Sequence, residues 1–168
     1  KGDIRKIGQI NNAMKDHDLV IHLAAKISVE ESIKSPSETF QTNVEGTKNV
    51  LIACEKNQIK KIIASSSAAV YGESKSDVKL TEKSKIKPIS PYGESKVRME
   101  KEIRKFAENN KIEYAILRFF NIYGKNQSPE YAGVITKFIE KIEMNKPLEI
   151  FGNGMQTRDF VSVNDVIN

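Results

Sequence analysis

The chain has 168 residues, a length that favours one hydrophobic core and a single domain. Its 27 basic and 22 acidic residues give a net charge of +5, but the lysines are scattered and not interleaved with aromatic side chains, which argues against a nucleic-acid surface. A single cysteine excludes a disulfide framework, no apolar run approaches the roughly 18 residues of a membrane span, and the amino terminus is no signal peptide, so we expect a soluble, cytoplasmic protein.

Short apolar runs alternate with amphipathic helical patterns along the sequence. Strands are predicted at residues 19–23, 61–65, 114–119 and 148–151. Helices are predicted at residues 44–56, 92–109 and 133–144, with weaker helical signals at residues 4–13 and 30–33. Because the strands are apolar throughout rather than alternating, helices should cover both faces of the sheet, and the pattern predicts a doubly wound parallel sheet of the α/β class.

Small and polar residues follow three of the predicted strands, at the edge where doubly wound sheets bind their ligands. Ala24 and Ala25 follow the first strand, residues 65–67 end the second, and Asn121 follows the third. A long polar connection, residues 72–90, comes after the second strand. Connections of this length are more often functional than inert, and this one could form a flap over the site.

The helix predicted after that connection carries a tyrosine and a lysine on its buried side. Ser90 and Pro91 suit the N-cap and the first helical position. The residues that follow recur at spacings of four, three, four and three, which describes one buried stripe of a helix. The stripe consists of Tyr92, Lys96, Met99, Ile103 and Phe106.

A lysine on a buried stripe needs a compensating role, because burying an ammonium group is costly. Catalysis is one such role: at about 5 Å and an effective dielectric of about 20, the ammonium of Lys96 favours a phenolate by roughly 3 kcal/mol, which predicts that the pKa of Tyr92 falls towards about 8. The alternative is a lysine that extends past the edge of the stripe into solvent. A second pair with this spacing, Tyr71 and Lys75, lies in the predicted loop, where nothing aligns it.

The sequence lacks the strand and glycine-rich turn with which a dinucleotide-binding fold normally opens. Gly152 and Gly154 have no third glycine and no following helix, so we interpret them as a tight turn. Residues 163–168 resemble the start of a helix. We therefore expect an internal part of a longer protein, with a fold truncated at both ends.

Seven segments, taken in their order and spacing, resemble one known family. They are residues 2–5, 22–25, 43–47, 65–72, 91–96, 117–124 and 151–159. The family is that of the extended short-chain dehydrogenases/reductases, the NAD-dependent epimerases and dehydratases of nucleotide sugars, and the resemblance is greatest to the UDP-glucose 4-epimerase branch. It spans nearly the whole chain and implies a Rossmann-like sheet that binds NAD.

The resemblance implies a catalytic role for three residues. Ser67 would hydrogen-bond the sugar hydroxyl that is oxidised, Tyr92 would remove its proton, and Lys96 would hold the ribose of the cofactor and lower the pKa of the tyrosine. In an epimerase the 4-keto sugar rotates and takes the hydride back on its other face, so NAD is recycled.

The resemblance also implies which residues bind the two ligands. Asp3 would bind the adenine of NAD, Asn121 and Val134 the diphosphate of the nucleotide sugar, Phe151 its base and Arg158 a phosphate. The alternatives are core packing for Phe151 and a surface ion pair for Arg158. The full cofactor set is Asp3, Ile4, Ala24, Ala25, Asn43, Ser65, Ser66, Tyr92, Lys96 and Phe119.

Two alanines narrow the reaction class that the resemblance implies. Dehydratases of this family carry acidic residues just after the catalytic hydroxyl, where this chain has Ala68 and Ala69. We therefore expect an NAD-dependent 4-epimerase of UDP-glucose/UDP-galactose or of their N-acetyl forms. The alternatives are another nucleotide-sugar epimerase or reductase, acting on a UDP-uronate or a keto sugar, and a non-catalytic part that only binds NAD or a nucleotide sugar.

The resemblance further implies the organisation of the protein. Residues 1–124 would form the NAD-binding domain without its glycine-rich unit, residues 125–168 would begin the substrate-binding region, and the full-length protein would be a homodimer through the helices predicted at residues 44–56 and 92–109. Without backbone donors for the pyrophosphate, residues 1–168 alone should bind NAD poorly and could be inactive. No metal site is expected, because neither histidine has partners at metal-ligand spacing.

Overall fold

The computed structural model describes residues 2–73, 79–127, 133–150 and 152–168. The chain forms two compact units, Lys1–Arg118 and Phe119–Asn168. The predicted division into domains between residues 124 and 125 stays a prediction. Among the described residues, no helix is both long enough and apolar enough to span a bilayer.

Strands alternate with helices in the first unit. The strands are β1 (Leu19–His22), β2 (Lys61–Ser67) and β3 (Glu113–Phe119). The helices are α1 (Ile7–Ala13), α2 (Val29–Lys34), α3 (Pro36–Phe40), α4 (Gly46–Lys56) and α5 (Pro91–Asn110), with a π-helical turn at Gln41–Glu45 and a 3-10 turn at Ala68–Val70. The apolar periodicity does not predict α3, because its five residues are too few to establish a period.

The sheet has the strand order β1-β2-β3, and β1 runs parallel to β2 with His22 opposite Ala64. The predicted α/β class with a parallel sheet is thereby confirmed. In the part of the chain that the structure describes, Leu19 and Ile21 of β1 are 43% and 59% exposed.

The core of the first unit lies between β2 and its neighbouring helices. Side chains alternate along β2, and Ile62 and Ala64 point into the core together with Met99 and Ile103 of α5. All four are at most 1% exposed. Cys54 of α4 belongs to the same cluster.

Helix α5 begins as its local sequence predicts. The Ser90 hydroxyl accepts a 3.1 Å hydrogen bond from the Gly93 backbone N–H, and Pro91 is the first helical residue. The helix ends at Lys111, which adopts the left-handed conformation with a φ of 53°. The predicted stripe is confirmed: Tyr92, Lys96, Met99 and Ile103 are buried, and Phe106 is half-buried.

The helix predicted at residues 44–56 begins earlier, with the π-helical turn at Gln41–Glu45 that runs directly into α4. A π-helical turn closes hydrogen bonds five residues apart and so accommodates one extra residue, which apolar periodicity does not reveal. Such turns are frequent at functional sites, and this one carries Asn43.

The second unit contains a parallel pair of short strands and two helices. They are β4 (Asn121–Tyr123), β5 (Phe160–Ser162), α6 (Val134–Glu143) and α7 (Val163–Ile167). The strand predicted at residues 148–151 is wrong for residues 148–150, which form no strand, and Phe151 lies outside the described residues. Gly152 and Gly154 have φ values of 70° and 74°, as the predicted tight turn requires, and α7 confirms the predicted helix start.

Candidate active site

Ser67, Tyr92 and Lys96 come together at the carboxyl end of β2. Tyr92 and Lys96 lie one turn apart on α5, with the Lys96 Nζ 5.9 Å from the centre of the tyrosine ring. The same Nζ donates a 2.8 Å hydrogen bond to the carbonyl of Ser65. The Ser67 hydroxyl lies near enough to the phenol of Tyr92 to favour its ionised form. The three residues therefore form one cluster, and their catalytic roles stay predictions.

Gly93 permits α5 to approach the 3-10 turn that follows Ser67. A Cβ atom at Gly93 would lie 2.6 Å from the carbonyl oxygen of Ala69, a distance at which real Cβ atoms essentially never occur. In the turn itself, the Ser67 hydroxyl oxygen accepts a 3.1 Å hydrogen bond from the Ala69 backbone N–H. Glycine after Tyr92 thus allows the first turn of α5 to lie close to the 3-10 turn that follows Ser67.

Burial sets the protonation of the two side chains on α5. The pKa of Tyr92 is raised, because burial disfavours the phenolate more than the Ser67 hydrogen bond favours it. The expected pKa of about 8 is therefore wrong for this chain, since it counted the charge of Lys96 and neglected desolvation. Burial lowers the pKa of Lys96 to about 8, and the Glu100 carboxylate opposes this shift.

Asn43, on the π-helical turn, holds the loop that follows β1. Its Oδ1 accepts a 2.7 Å hydrogen bond from the Lys26 backbone N–H, and its Nδ2 donates to the Lys26 carbonyl at 2.9 Å and to the Ser95 hydroxyl at 3.0 Å. The side chain is almost completely buried. These bonds fix the loop directly after Ala24 and Ala25 relative to α5.

His22, the last residue of β1, extends this buried network. Its Nε2 lies 2.9 Å from the Thr47 Oγ1, and the Thr47 hydroxyl donates to the Asn43 carbonyl at 2.6 Å. Because a hydroxyl has only one hydrogen, His22 must be the donor from Nε2. Burial and the charge of Lys96 lower the pKa of His22 to about 4, so the imidazole is neutral at neutral pH.

The sequence analysis missed Glu100 and Arg118, which the structure joins beside the site. Glu100 is only 2% exposed, and its carboxylate accepts hydrogen bonds from Arg118 Nε at 2.8 Å and Nη2 at 2.7 Å. It also accepts a 2.6 Å hydrogen bond from the Ser66 hydroxyl. The signal that could have found Glu100 is its position one helical turn after Lys96, next to the buried stripe.

Asp3, which is expected at the adenine, and Ile4, which is expected in the cofactor site, precede α1. The Asp3 carboxylate accepts hydrogen bonds from Arg5 Nε at 3.0 Å and from Arg5 Nη2 at 2.7 Å. These bonds lower the pKa of Asp3 to about 2 and keep it ionised. The carbonyl of Ile4 accepts a 3.1 Å hydrogen bond from Asn49, and its side chain packs against the core.

Two of the expected substrate residues begin elements of the second unit. Asn121 starts β4, and both its backbone N–H and its side-chain Nδ2 donate to the Asp159 carbonyl, at 3.2 Å and 2.9 Å. Val134 is the first residue of α6 and is exposed.

The remaining expected residues are described less fully. Arg158 is exposed and donates from Nη1 to the Thr157 carbonyl at 2.8 Å. Phe119, the last residue of β3, is half-buried, and Phe151 lies outside the described residues. No group of three His, Cys, Asp or Glu side chains is placed to hold a metal ion within the part of the chain that the structure describes.

The sequence of this chain matches a known family and its members. The model of the NAD dependent epimerase/dehydratase family matches residues 1–168. A putative UDP-glucose 4-epimerase of Methanocaldococcus jannaschii is 47% identical over 154 residues, which cover 90% of this chain and 50% of that protein. A dTDP-D-glucose 4,6-dehydratase of Homo sapiens is 36% identical over 150 residues, which cover 89% of this chain and 42% of that protein. The chain spans about half the length of the curated relatives it matches.

Solved structures are similar over nearly all of this chain. The UDP-N-acetylglucosamine 4-epimerase of Methanobrevibacter ruminantium, solved with UDP-N-acetylmuramic acid, is 39% identical with a TM-score of 0.89, covering 99% of this chain and 54% of that one. The UDP-glucose 4-epimerase of Thermus thermophilus, solved with NAD, is 30% identical with a TM-score of 0.91, covering 98% of this chain and 56% of that one. These similarities confirm the Rossmann-like α/β fold and the family resemblance inferred from the sequence.

Proposed function

This chain belongs to the NAD-dependent epimerase/dehydratase family, and we propose that it carries the catalytic site of a nucleotide-sugar 4-epimerase. The proposed reaction inverts C4 of UDP-glucose/UDP-galactose or of their N-acetyl forms, by transient oxidation to a 4-keto sugar and return of the hydride to the same carbon. One observation carries the proposal: the buried ammonium of Lys96 donates to the Ser65 carbonyl at the end of β2 and lies 5.9 Å from the centre of the Tyr92 ring.

Tyr92 acts on the proton of the C4 hydroxyl, first as a general base and then as a general acid. Its burial keeps bulk water from competing for that proton. The Ser67 oxygen already accepts from the Ala69 N–H, so the hydrogen of the Ser67 hydroxyl can be donated to the sugar oxygen or to the phenolate. The Ser67 hydroxyl favours the phenolate, which offsets part of the effect of burial on the pKa of Tyr92.

The residues around Lys96 fit a dinucleotide. An ammonium group has three donors, and the Ser65 carbonyl uses one of them, so hydroxyls of a ribose can accept from the others. The small side chains of Ala24 and Ala25 leave space at the end of β1, and ionised Asp3 can accept from the amino group of an adenine. NAD, when bound, supplies the hydride acceptor and a positively charged ring that favours the ionised form of Tyr92.

Ala68 and Ala69 favour epimerisation over elimination of water. Both lie in the 3-10 turn directly after Ser67. Eliminating water from a sugar requires an acid and a base beside the leaving hydroxyl, and methyl groups supply neither. The relatives include both a 4-epimerase and a 4,6-dehydratase, and these two alanines support the first class.

The second unit would bind the nucleotide half of the substrate. Arg158 presents an exposed guanidinium, whose planar arrangement of donors suits a phosphate, and Asn121 and Val134 would contact the diphosphate. A role of Phe151 at the base, a homodimer and a cytoplasmic location stay predictions.

Product analysis tests this function in the full-length protein that carries this sequence. The protein is incubated with UDP-glucose and NAD, and separately with UDP-N-acetylglucosamine, and the sugars are followed by proton NMR. We expect the C4 epimer of at least one substrate, and no 6-methyl signal of a 4-keto-6-deoxy sugar. A 6-methyl signal that grows in step with substrate loss would show that the reaction class is wrong, and the Ser67→Ala variant serves as the matched inactive control.

A further inference from the structure

Glu100 is the centre of a buried ionic network beside the site. Its side chain is 3% exposed, and its carboxylate accepts two hydrogen bonds from Arg118, one from Ser66 and a longer one, 3.2 Å, from Arg104. Arg118 also donates a 2.9 Å hydrogen bond to the phenol of Tyr71. The network therefore joins Glu100 on α5 to Ser66 on β2, to Arg118 on β3 and to Tyr71, which follows the 3-10 turn.

Stability alone is a weak reason for this network. Burial by itself would raise the pKa of Glu100, but the hydrogen bonds from Arg118 and Ser66 outweigh it and lower the pKa, so the carboxylate is ionised. Buried ion pairs are often no more stable than well-packed apolar side chains of the same volume, because desolvation cancels much of the Coulomb attraction. The buried pair of Glu100 and Arg118 is better explained by the neighbouring backbone and side chains that it holds in place.

Ser66 is the middle residue of the strand end, by which we mean residues 65–67 of β2. Side chains alternate along a strand, so Ser66 faces Glu100 on α5. The backbone carbonyl of Ser65 accepts a hydrogen bond from Lys96, and the hydroxyl of Ser67 lies near the Tyr92 phenol and favours its ionised form. A displacement of the strand end at Ser66 would therefore change both contacts together.

We propose that Glu100 is a positioning residue of the catalytic site: by holding the Ser66 hydroxyl, it fixes the strand end against α5. Arg118 holds the carboxylate from β3 in a bidentate geometry, and Oε1, which accepts from Arg118 Nε, also accepts from the Ser66 hydroxyl. This role rests on the proposed function, because it matters only if Tyr92 and the strand end act on a substrate. Misplacement of a catalytic group by about 1 Å can lower a rate by about 100-fold.

The test observes the phenol of Tyr92 directly. The full-length protein is labelled with carbon-13 at the tyrosine Cζ atoms, Tyr92→Phe assigns the signal, and both the Cζ shift at neutral pH and the titration midpoint are measured. The Ser67 hydrogen bond lowers the pKa of Tyr92, so losing that contact must raise the midpoint. The Ser67→Ala variant defines the full change in the Tyr92 Cζ shift and titration midpoint when the Ser67 hydroxyl is absent.

Ser66→Ala removes the hydrogen bond between Glu100 and the strand end and leaves every charge in place. We expect it to change the Tyr92 signal in the same direction as Ser67→Ala, and to lower kcat by about 10-fold with little change in KM. Arg104→Gln is the matched control, because Arg104 contacts the same carboxylate from an exposed position, and it should leave the signal unchanged. Glu100→Gln tests the hydrogen bond between Glu100 and Ser66 from the side of α5. If that variant fails to fold, the result for Ser66→Ala alone decides whether Glu100 positions the strand end.

The possible outcomes separate this proposal from the proposed function. A changed Tyr92 signal in both Ser67→Ala and Ser66→Ala supports a positioning role. A change in Ser67→Ala alone overturns the positioning role and leaves the proposed function standing. No change in Ser67→Ala would mean that Tyr92 does not contact that hydroxyl, which overturns both.

Discussion

The Lys96 Nζ donates a 2.8 Å hydrogen bond to the carbonyl of Ser65, so the direct partner of this buried ammonium is a neutral oxygen. A carbonyl dipole compensates desolvation less than a carboxylate would, which explains why burial still lowers the pKa of Lys96 to about 8. The backbone of β2 thus holds the Lys96 side chain in place. Keeping this ammonium charged in the interior lowers the free energy of unfolding.

The lowered pKa of Lys96 predicts how the free energy of unfolding depends on pH. The native state holds the Lys96 proton more weakly than the unfolded state, so between pH 8 and pH 10.5 the unfolded chain binds more protons and the free energy of unfolding rises with pH. Relative to Lys96→Met, the wild type should gain up to about 3 kcal/mol across this range. Urea unfolding of both proteins at several pH values measures the difference, and a difference independent of pH would contradict the buried ammonium.

Tyr92→Phe should lower kcat by about 100-fold or more in the full-length enzyme, because it removes the group that exchanges the C4 proton. The affinity for the nucleotide sugar should change little. Tyr114→Phe alters a partly exposed tyrosine on β3 and is the matched control. Retention of most activity by Tyr92→Phe would rule out the assigned role.

Two glycines on helices should respond in opposite ways to alanine. Gly93→Ala places a Cβ atom 2.6 Å from the Ala69 carbonyl, so α5 must move away from the turn, and we expect lower stability and a loss of kcat of about 10-fold or more. Gly8→Ala on α1 meets no atom within 4 Å and should stabilise the protein by about 0.5–1 kcal/mol without affecting kcat. Thermal unfolding and steady-state kinetics of both variants test this contrast, which fails if Gly93→Ala is as well tolerated as Gly8→Ala.

His22 should make the fold sensitive to acid. Its pKa in the native state is about 4, below the ordinary value of 6.5, so its contribution to stability is complete above pH 6.5 and is lost as the pH falls towards 4. The loss amounts to about 3 kcal/mol. His22→Gln keeps a donor for Thr47 and has no such titration, so the wild type should lose more stability than this variant between pH 6.5 and pH 4. Equal losses would show that His22 is not buried as a neutral ring.

Helix α5 could be predicted from the sequence because its signals are local. Ser90 directly precedes α5, Pro91 and the apolar stripe lie within it, and together they place Tyr92 and Lys96 on its buried side without reference to any other element. The pKa of Tyr92 could not be predicted this way. It depends on how much solvent the folded chain excludes, which the spacing of residues does not show.

Other parts of the site required the fold. Glu100 and Arg118 are 18 residues apart, and only the adjacency of β3 and β2 reveals that Arg118 and Ser66 meet at the Glu100 carboxylate. The π-helical turn that presents Asn43 adds one residue to a helix, and no apolar periodicity marks it. Strands β4 and β5 have three residues each, too few for a period of two to be recognised.

An isotope label tests most directly the central claim, that hydride leaves C4 of the sugar and returns to the same carbon. The full-length protein is given NAD and UDP-glucose that carries deuterium at C4, and the product is analysed by NMR and mass spectrometry. We predict UDP-galactose that retains the deuterium at C4, with no release of label to water. Deuterium found at C6 or in the solvent would contradict the proposed epimerase reaction.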